Sequence, residues 1–187
     1  MIKTVGIIGF GQMGKILAEI FSARFIVVIS PKEAASTDLV IFCVPLENLS
    51  VALKDARPFI RSDSVVMDIT SVKEKPLRLM QQILPAKASI LGAHPMFGPN
   101  STKTLDAKNI VLCPVRISYQ KTRAIEKILQ NCGFKTFKMS PKKHDQIMAR
   151  SQLITHLFGQ IINNLGIRNF PFLPKSFKLM QQAFKMA

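Results

Sequence analysis

Seven short runs of apolar and β-branched residues recur over the first 140 residues, and amphipathic segments separate most of them. Continuous apolar runs of this length are typical of parallel strands that are covered on both faces. The strands predicted from these runs are residues 4–8, 25–29, 39–44, 64–69, 89–92, 110–113 and 134–137. Helical spacing of apolar residues predicts helices over residues 12–21, 47–59, 73–84 and 121–132. The alternation predicts an α/β fold, with a mostly parallel sheet and helices on both faces.

The turn after the first predicted strand has the sequence GFGQMG, which matches the pattern G-x-G-x-x-G. The pattern alone is weak, but here it follows an apolar strand and opens a helix, as a dinucleotide-binding turn does. Its three glycines permit a tight turn, the approach of a pyrophosphate, and close packing of helix on strand. The helix N-terminus then presents free N–H groups to the phosphates. We favour a role in dinucleotide binding over the alternative that the glycines serve only packing. The residues assigned to the dinucleotide are Gly9, Gly11, Gln12, Met13 and Gly14.

The segment after the second predicted strand bears on the choice of cofactor. NAD-binding proteins tend to carry an acidic residue at the tip of this strand, whereas this chain has Ser30, Pro31 and Lys32. A hydroxyl and a lysine suit the 2′-phosphate of NADP, so NADP is the expected cofactor and NAD the alternative. Only about ten residues separate the second and third strands, so we expect an abbreviated crossover helix. Val44 and Pro45, at the end of the third strand, are also assigned to the cofactor site.

Composition excludes several classes of protein. The formal net charge of +15 attracts anions, but the single tyrosine, the lack of tryptophan and the lack of aromatic-interleaved basic motifs argue against nucleic acid as a partner. The longest apolar run is too short to span a bilayer, and no cleavage site follows the apolar N-terminus. Three widely spaced cysteines without C-x-x-C fit reduced thiols rather than disulfides or a metal site. We therefore expect a cytoplasmic protein with no metal and no membrane attachment.

One of the three histidines lies in the sequence GAHPMFGP, residues 92–99. We expect His94 just past the fifth predicted strand, and open α/β sheets bind ligands at the carboxyl ends of their strands. An imidazole is a natural proton acceptor near neutral pH, and Pro95 biases His94 towards an extended backbone. A lone loop histidine is nevertheless more often a bystander, so its residue type alone leaves both interpretations open.

The sequence Ser140-Pro141 opens the longest predicted helix, residues 140–165, with serine as N-cap and proline in the first turn. One stripe of this helix is apolar, and the opposite stripe mixes small and polar residues, among them Gln152 and His156. His144 is interpreted as structural, because a cation is disfavoured near a helix N-terminus. A further amphipathic helix is predicted over residues 176–186. The exposed apolar stripe favours self-association as a homodimer.

Four stretches together resemble the prephenate/arogenate dehydrogenase family of tyrosine biosynthesis. In the family's order they are GFGQMG (9–14), DITSVKEKPL (68–77), GAHPMFGP (92–99) and HDQIMARSQLITH (144–156). The resemblance implies a Rossmann-like dinucleotide-binding domain, placed at residues 1–140. It also implies a short all-helical dimerisation segment, placed at residues 141–187. The implied reaction is NAD(P)-dependent oxidative decarboxylation of prephenate or arogenate to 4-hydroxyphenylpyruvate or tyrosine.

The resemblance also implies roles for individual residues. His94 matches the catalytic histidine, Ser71 the active-site serine and His156 a second active-site histidine, with Gln152 on the same helix stripe. Ser71 could hydrogen-bond the substrate hydroxyl, orient His94, or cap the helix that begins near residue 73. Lys178 is the best-placed residue for the family's carboxylate-binding arginine, although lysine loses the bidentate geometry.

The chain also departs from the family. It is much shorter than most members, and Thr102 stands where relatives often have glycine. We expect a minimal form or fragment of an active enzyme. The alternative is a catalytically impaired dinucleotide-binding remnant that acts as a binding or regulatory protein.

Overall fold

The computed structural model describes residues 2–98, 108–166 and 174–184. The chain divides into two compact units, Met1–His144 and Asp145–Ala187. Thr102 lies outside the described residues. The domain boundary after residue 140 that the sequence suggests stays a prediction.

The first unit contains a seven-stranded sheet and the helices that cover it. Its strands are β1 (Thr4–Ile8), β2 (Ile26–Val28), β3 (Leu39–Phe42), β4 (Val65–Asp68), β5 (Ser89–Pro95), β6 (Lys108–Arg116) and β7 (Phe134–Lys138). Its helices are α1 (Gln12–Ser22), α2 (Pro31–Ala35), α3 (Leu46–Ala56), α4 (Glu74–Ile83) and α5 (Tyr119–Asn131), with a 3-10 turn at Arg57–Phe59. The longest helix, α6 (Pro141–Asn164), begins in the first unit, and α7 (Lys175–Phe184) belongs to the second. Every strand predicted from the sequence is present.

The sheet has the strand order β2-β1-β3-β4-β5-β6-β7. Strands β1 to β5 pair in parallel, β6 runs antiparallel to β5, and β7 pairs in parallel with β6. The predicted α/β class with a mostly parallel, Rossmann-like sheet is therefore confirmed. Strand β6 is longer than predicted, at nine residues, and its antiparallel pairing extends β5 as far as Pro95.

Two apolar layers cover the two faces of the sheet, because successive strand residues point to opposite sides. In β3, for example, Val40 and Phe42 pack in the layer formed with α2, α3 and α4. Leu39 and Ile41 pack in the layer formed with α1 and α5. All four side chains are fully buried. Burial on both faces explains why the strands are continuous apolar runs rather than alternating ones.

The crossover between β2 and β3 is abbreviated, as expected. Helix α2 has only five residues, and its Ala34 and Ala35 are fully buried against the sheet. Ser140 caps α6 as predicted, with its hydroxyl accepting a hydrogen bond from the backbone N–H of Lys143. Ser71 does not cap α4, because that helix has Lys73 at its N-cap and no side-chain capping bond.

The second unit carries an exposed apolar helix stripe. The side chains of this stripe lie on α6 and on the residue directly after it and are between 40% and 59% exposed. They are Ile147, Ile154, Leu157, Phe158, Ile161 and Leu165. The stripe is the one predicted from helical spacing. Within the described residues, no helix is both long enough and apolar enough to cross a membrane.

Candidate active site

Strands β1, β3 and β4 end level with one another at one edge of the sheet, and β5, the next parallel strand, continues three residues beyond that level. Their register pairs Ile8 with Phe42, Phe42 with Asp68, and Asp68 with Gly92. The residues that follow these positions therefore gather along this edge, the glycine turn after β1 at one side and His94 at the other. The edge from β1 to β5 spans three strand spacings, roughly 14 Å. A ligand that contacts both ends must be elongated.

The glycine turn leaves room for a ligand at one position and none at another. Gly9 has φ +100°, a conformation that favours glycine. A Cβ at Gly14 would lie 2.2 Å from the carbonyl oxygen of Gly9, so α1 can begin against the turn only with glycine there. At Gly11, by contrast, a Cβ would meet nothing within 4 Å, and its φ of −74° suits any residue.

The N-terminus of α1 receives no side-chain cap from the residues that the structure describes. Its first turn contains no acidic residue, and Gly11 as N-cap offers no side chain. Gln12 is exposed and Met13 half-buried at this end of the helix. Backbone N–H groups that lack such partners form a site for an anion such as a phosphate.

A cavity of about 470 Å³ opens beside the turn. It is lined by Ile8, Pro31, Lys32, Ala52, Asp55, Ala56 and Phe59. The Nζ atom of Lys32 lies 5.9 Å from the ring centroid of Phe59, within cation–π range. Ser30, which directly precedes Pro31 and Lys32 in the chain, is exposed. Phe59 and Asp55 were not identified from the sequence, because no local pattern connects the end of α3 with the tip of β2.

Val44 and Pro45 flank the turn from the side of β3. A Cβ at Gly9 would lie 2.8 Å from Cγ1 of Val44, which places Val44 directly against the turn. Pro45 is exposed and is the N-cap of α3. Between β3 and this pair lies Cys43, whose pKa is raised to about 12 by burial and by the negative charge of Asp68. Its thiol therefore stays protonated at neutral pH and is no nucleophile.

His94 lies inside β5, opposite Val111 of β6, so its predicted place in a loop after the strand was wrong. Its side chain is buried, with 5% exposure. Its Nδ1 atom lies 2.9 Å from Nε2 of His144, and the two ring centroids are 5.1 Å apart at an interplanar angle of 72°. His144, in the first turn of α6, is fully buried.

His144 is therefore the residue that the sequence interpretation undervalued. It contacts the candidate base directly, 50 positions away along the chain. The available signal was its place as the first residue of the fourth stretch that carries the family resemblance.

A buried ion pair lies next to His94. The Nζ atom of Lys73 donates to Oδ2 of Asp68 at 2.6 Å and to the carbonyl oxygen of Ala93 at 2.7 Å. Both charged side chains are fully buried. The backbone N–H and hydroxyl of Thr70 donate to the same carboxylate oxygen at 3.0 and 2.6 Å. Lys73 thus ties the end of β4 and the start of α4 to the residue before His94.

Ser71 is exposed in the short connection between β4 and α4. In the described part of the chain its hydroxyl makes no hydrogen bond to His94. Of the two polar roles considered for Ser71, orienting His94 is therefore not supported. Its exposed hydroxyl remains accessible to a ligand.

The other predicted substrate residues belong to the second unit. His156 is exposed on α6, and Lys178 is half-buried on α7. Gln152 is on α6, but its side chain is outside the described part of the structure. The first unit therefore brings together the predicted cofactor residues, Ser71 and His94, and adds His144, Lys73 and Asp68.

Comparison with known proteins gives a consistent result. The family model for "Prephenate dehydrogenase, nucleotide-binding domain" matches residues 17–138. The chain is 32% identical over 151 residues to Arogenate dehydrogenase 2, chloroplastic, of Arabidopsis thaliana, covering 76% of this chain and 42% of that protein. It is 34% identical over 126 residues to a probable arogenate/prephenate dehydrogenase of Methanocaldococcus jannaschii, covering 66% of this chain and 28% of that protein. The chain thus spans less than half the length of these curated relatives.

Solved structures resemble the whole chain. Prephenate dehydrogenase from A. aeolicus, in complex with hydroxyphenyl propionate and NAD+, superposes with a TM-score of 0.76 at 18% identity. That match covers 100% of this chain and 79% of the other. Plasmodium falciparum pyrroline carboxylate reductase with NADP bound has a TM-score of 0.65 at 18% identity, covering 98% of this chain and 76% of the other. At such identities the likeness establishes the fold alone.

Proposed function

The chain belongs to the prephenate dehydrogenase family, and from that membership we propose that it catalyses the NAD(P)-dependent oxidative decarboxylation of prephenate or arogenate. The observation that carries the proposal is the buried His94, at the same sheet edge as the glycine turn and roughly 14 Å from it. An elongated dinucleotide bound at the turn can reach along this edge towards a base at the end of β5.

The residues around the turn fit such a cofactor. The open space at Gly11 and the uncapped N-terminus of α1 would receive the pyrophosphate, with Gly9, Gln12, Met13 and Gly14 shaping the turn. Val44 and Pro45 would border the cofactor on the side of β3. When bound, the nicotinamide would accept a hydride from the substrate.

We propose NADP as the preferred cofactor. Lys32 lines the cavity at the tip of β2 and is held over Phe59, and Ser30 is exposed beside it. An ammonium and a hydroxyl at this place favour a 2′-phosphate, whereas NAD binders tend to place a carboxylate there. Asp55 also lines the cavity. NAD remains the alternative cofactor.

His94 acts as the general base in the proposed reaction. As hydride leaves the ring carbon that bears the 4-hydroxyl, the hydroxyl proton passes to the imidazole of His94. The ring carboxylate then leaves as carbon dioxide, and the electrons of the broken carbon–carbon bond aromatise the ring. The resulting phenolate takes up one proton, which balances the one that His94 removed.

The exposed hydroxyl of Ser71 can hydrogen-bond the substrate hydroxyl. For Lys178, His156 and Gln152 the role of substrate binding follows from the family resemblance alone and stays a prediction. The net charge of +15 raises the local concentration of an anionic substrate. The exposed apolar stripe on α6 supports a homodimer, which light scattering of the purified chain would test.

The alternative is a dinucleotide-binding remnant without catalysis. It is favoured by Lys178, which stands where the family resemblance implies an arginine and cannot offer two parallel hydrogen bonds to a carboxylate. Such a protein would bind the cofactor and leave both substrates unchanged.

One assay separates these functions. The purified chain is mixed with each pairing of NAD or NADP with prephenate or arogenate, and the absorbance of reduced nicotinamide is followed, with His94→Asn as the matched variant. Turnover that the variant lowers by 10²-fold or more supports the enzyme, since general-base catalysis contributes roughly 10²–10⁴-fold. Cofactor binding without turnover in any pairing supports the remnant. Turnover unaffected by the variant removes His94 from the mechanism.

A further inference from the structure

The contact between the two buried histidines assigns a role to His144. We propose that His144 is a positioning residue whose Nε2 accepts a hydrogen bond from Nδ1–H of His94, so that Nε2 of His94 carries no proton and can receive one. The proposal rests on the proposed function of His94 as a base. It differs from the sequence-based view of His144 as a structural residue.

The geometry requires one hydrogen between the rings. Two ring nitrogens 2.9 Å apart are at hydrogen-bonding distance, and one must donate while the other accepts. If His144 donates, the single hydrogen of a neutral His94 sits on Nε2, and that nitrogen cannot accept a proton. If His94 donates from Nδ1, its Nε2 has a lone pair available. Only the second arrangement suits a base.

The position of His144 favours this same arrangement once the pair has gained a proton. His144 lies in the first turn of α6, where its backbone N–H donates to the carbonyl oxygen of Ser140. The positive end of the helix dipole disfavours a cation there. The proton that His94 takes from the substrate goes to its Nε2, and its Nδ1–H still donates to His144. The hydrogen bond is the same before and after proton transfer, so no group needs to reorient.

The backbone of His94 is held independently of this bond. Lys73 donates to the carbonyl oxygen of Ala93, and β5 pairs with β6 at His94 itself. With the strand fixed, the remaining freedom of the imidazole is rotation about its side-chain torsions. A fixed acceptor at Nδ1 restricts that rotation and favours the Nδ1–H tautomer, as the carboxylate does in serine-protease triads. His144 does so without a charge.

The chain suits a direct measurement, because it contains only three histidines. Protein labelled with ¹⁵N-histidine gives three imidazole patterns in long-range ¹H–¹⁵N spectra. Each pattern is assigned by its loss in one of the variants His94→Asn, His144→Gln and His156→Asn. These spectra, recorded at a pH where His94 is neutral and without substrate or cofactor, report which nitrogen carries hydrogen. We expect His94 to be protonated at Nδ1 in the native chain. In His144→Leu we expect the Nε2–H tautomer that a free histidine side chain prefers.

Kinetics give the second readout. His144→Leu should lower kcat by about 10- to 100-fold, as loss of an orienting partner does, with KM changed by less than about threefold. His144→Gln keeps a hydrogen-bond acceptor near the position of Nε2 and should recover most of the loss. A purely structural role would move stability without changing the tautomer.

The outcomes are distinct from those of the proposed function. A native His94 protonated at Nε2 overturns the proposal, whether or not the chain turns over. So does a glutamine variant as impaired as the leucine one, or a leucine variant with native tautomer and kcat. If the leucine variant fails to fold, the native and glutamine spectra still decide. If the chain shows no turnover but His94 is protonated at Nδ1, the pairing stands and the proposed reaction fails.

Discussion

The buried pair of Lys73 and Asp68 offers the sharpest test of how the fold supports the site. Lys73→Met retains most of the alkyl stem and removes the ammonium. The carboxylate of Asp68, fully buried, would then keep only the two hydrogen bonds from Thr70 on Oδ2. Its Oδ1 atom already lacks a hydrogen-bond partner among the described residues. The substitution therefore leaves a buried carboxylate without its counter-charge, stabilised only by the two hydrogen bonds from Thr70.

The expected loss is about 3–5 kcal/mol, the range found when one partner of a buried ion pair is removed. That is a large part of the roughly 5–15 kcal/mol that stabilises a typical domain. For a chain of 187 residues, each kcal/mol shifts Tm by about 2–4 °C, so Tm should fall by roughly 6–20 °C. Thermal unfolding followed by circular dichroism measures this shift.

A double variant tests whether the charge itself is responsible. In Asp68→Asn/Lys73→Met no buried charge remains, so much of the lost stability should return relative to Lys73→Met. Arg61→Gln is the control, because the guanidinium of Arg61 is exposed in its ion pairs with Asp63 and Asp38, so that their loss should matter far less. A Tm for Lys73→Met within about 2 °C of the native value would refute the reasoning. A double variant less stable than the single one would refute it too.

Four further substitutions have defined outcomes. Gly11→Ala should leave Tm unchanged but weaken dinucleotide binding, whereas Gly14→Ala should lower Tm because its Cβ meets the carbonyl oxygen of Gly9. Calorimetry measures the change in Tm, and cofactor titration measures the change in binding. Equal effects of the two substitutions on Tm would contradict the geometry. Lys32→Ala should weaken NADP binding about 10- to 100-fold and NAD binding little, and an equal loss for both would exclude a role with the 2′-phosphate. The pKa of Asp38 is lowered chiefly by the hydrogen bond from the backbone N–H of Lys3, so its contribution to stability is present above about pH 4 and lost as pH falls through the lowered pKa. Asp38→Asn should therefore be less stable than the native chain at pH 7 in urea unfolding and should approach it in acid; a difference independent of pH would contradict this.

The strands and their order along the chain were predictable, because a strand that is buried on both faces has a continuous run of apolar residues in the sequence. The direction of β6 could not be predicted in this way, since antiparallel and parallel buried strands have the same composition. That direction decided where His94 lies, because pairing with β6 carries β5 on to Pro95. The predicted strand ended at residue 92, and only the long-range pairing shows that it continues through His94.

The contacts that define the candidate site are long-range and were the hardest to predict. His94 and His144 are 50 residues apart, and Lys73 and Ala93 are 20 apart. Family resemblance brought His94 and Ser71 to attention as separate residues. It gave no means of deciding which group orients the imidazole, because that depends on where α6 begins relative to β5.

The hydrogen bond from Lys73 to the carbonyl oxygen of Ala93 links the buried ion pair to the strand that carries His94. Substitutions of Lys73 therefore test both stability and catalysis. If Lys73 only stabilises the fold, Lys73→Met assayed well below its Tm should turn over at the native rate. If Lys73 also fixes the strand that carries His94, the folded variant should lose kcat, because the imidazole would move relative to its partner His144. The double variant separates the two effects, since it relieves the unpaired charge of Asp68 but does not restore the bond to Ala93. A double variant that recovers stability but still has a low kcat would show that Lys73 helps to position His94.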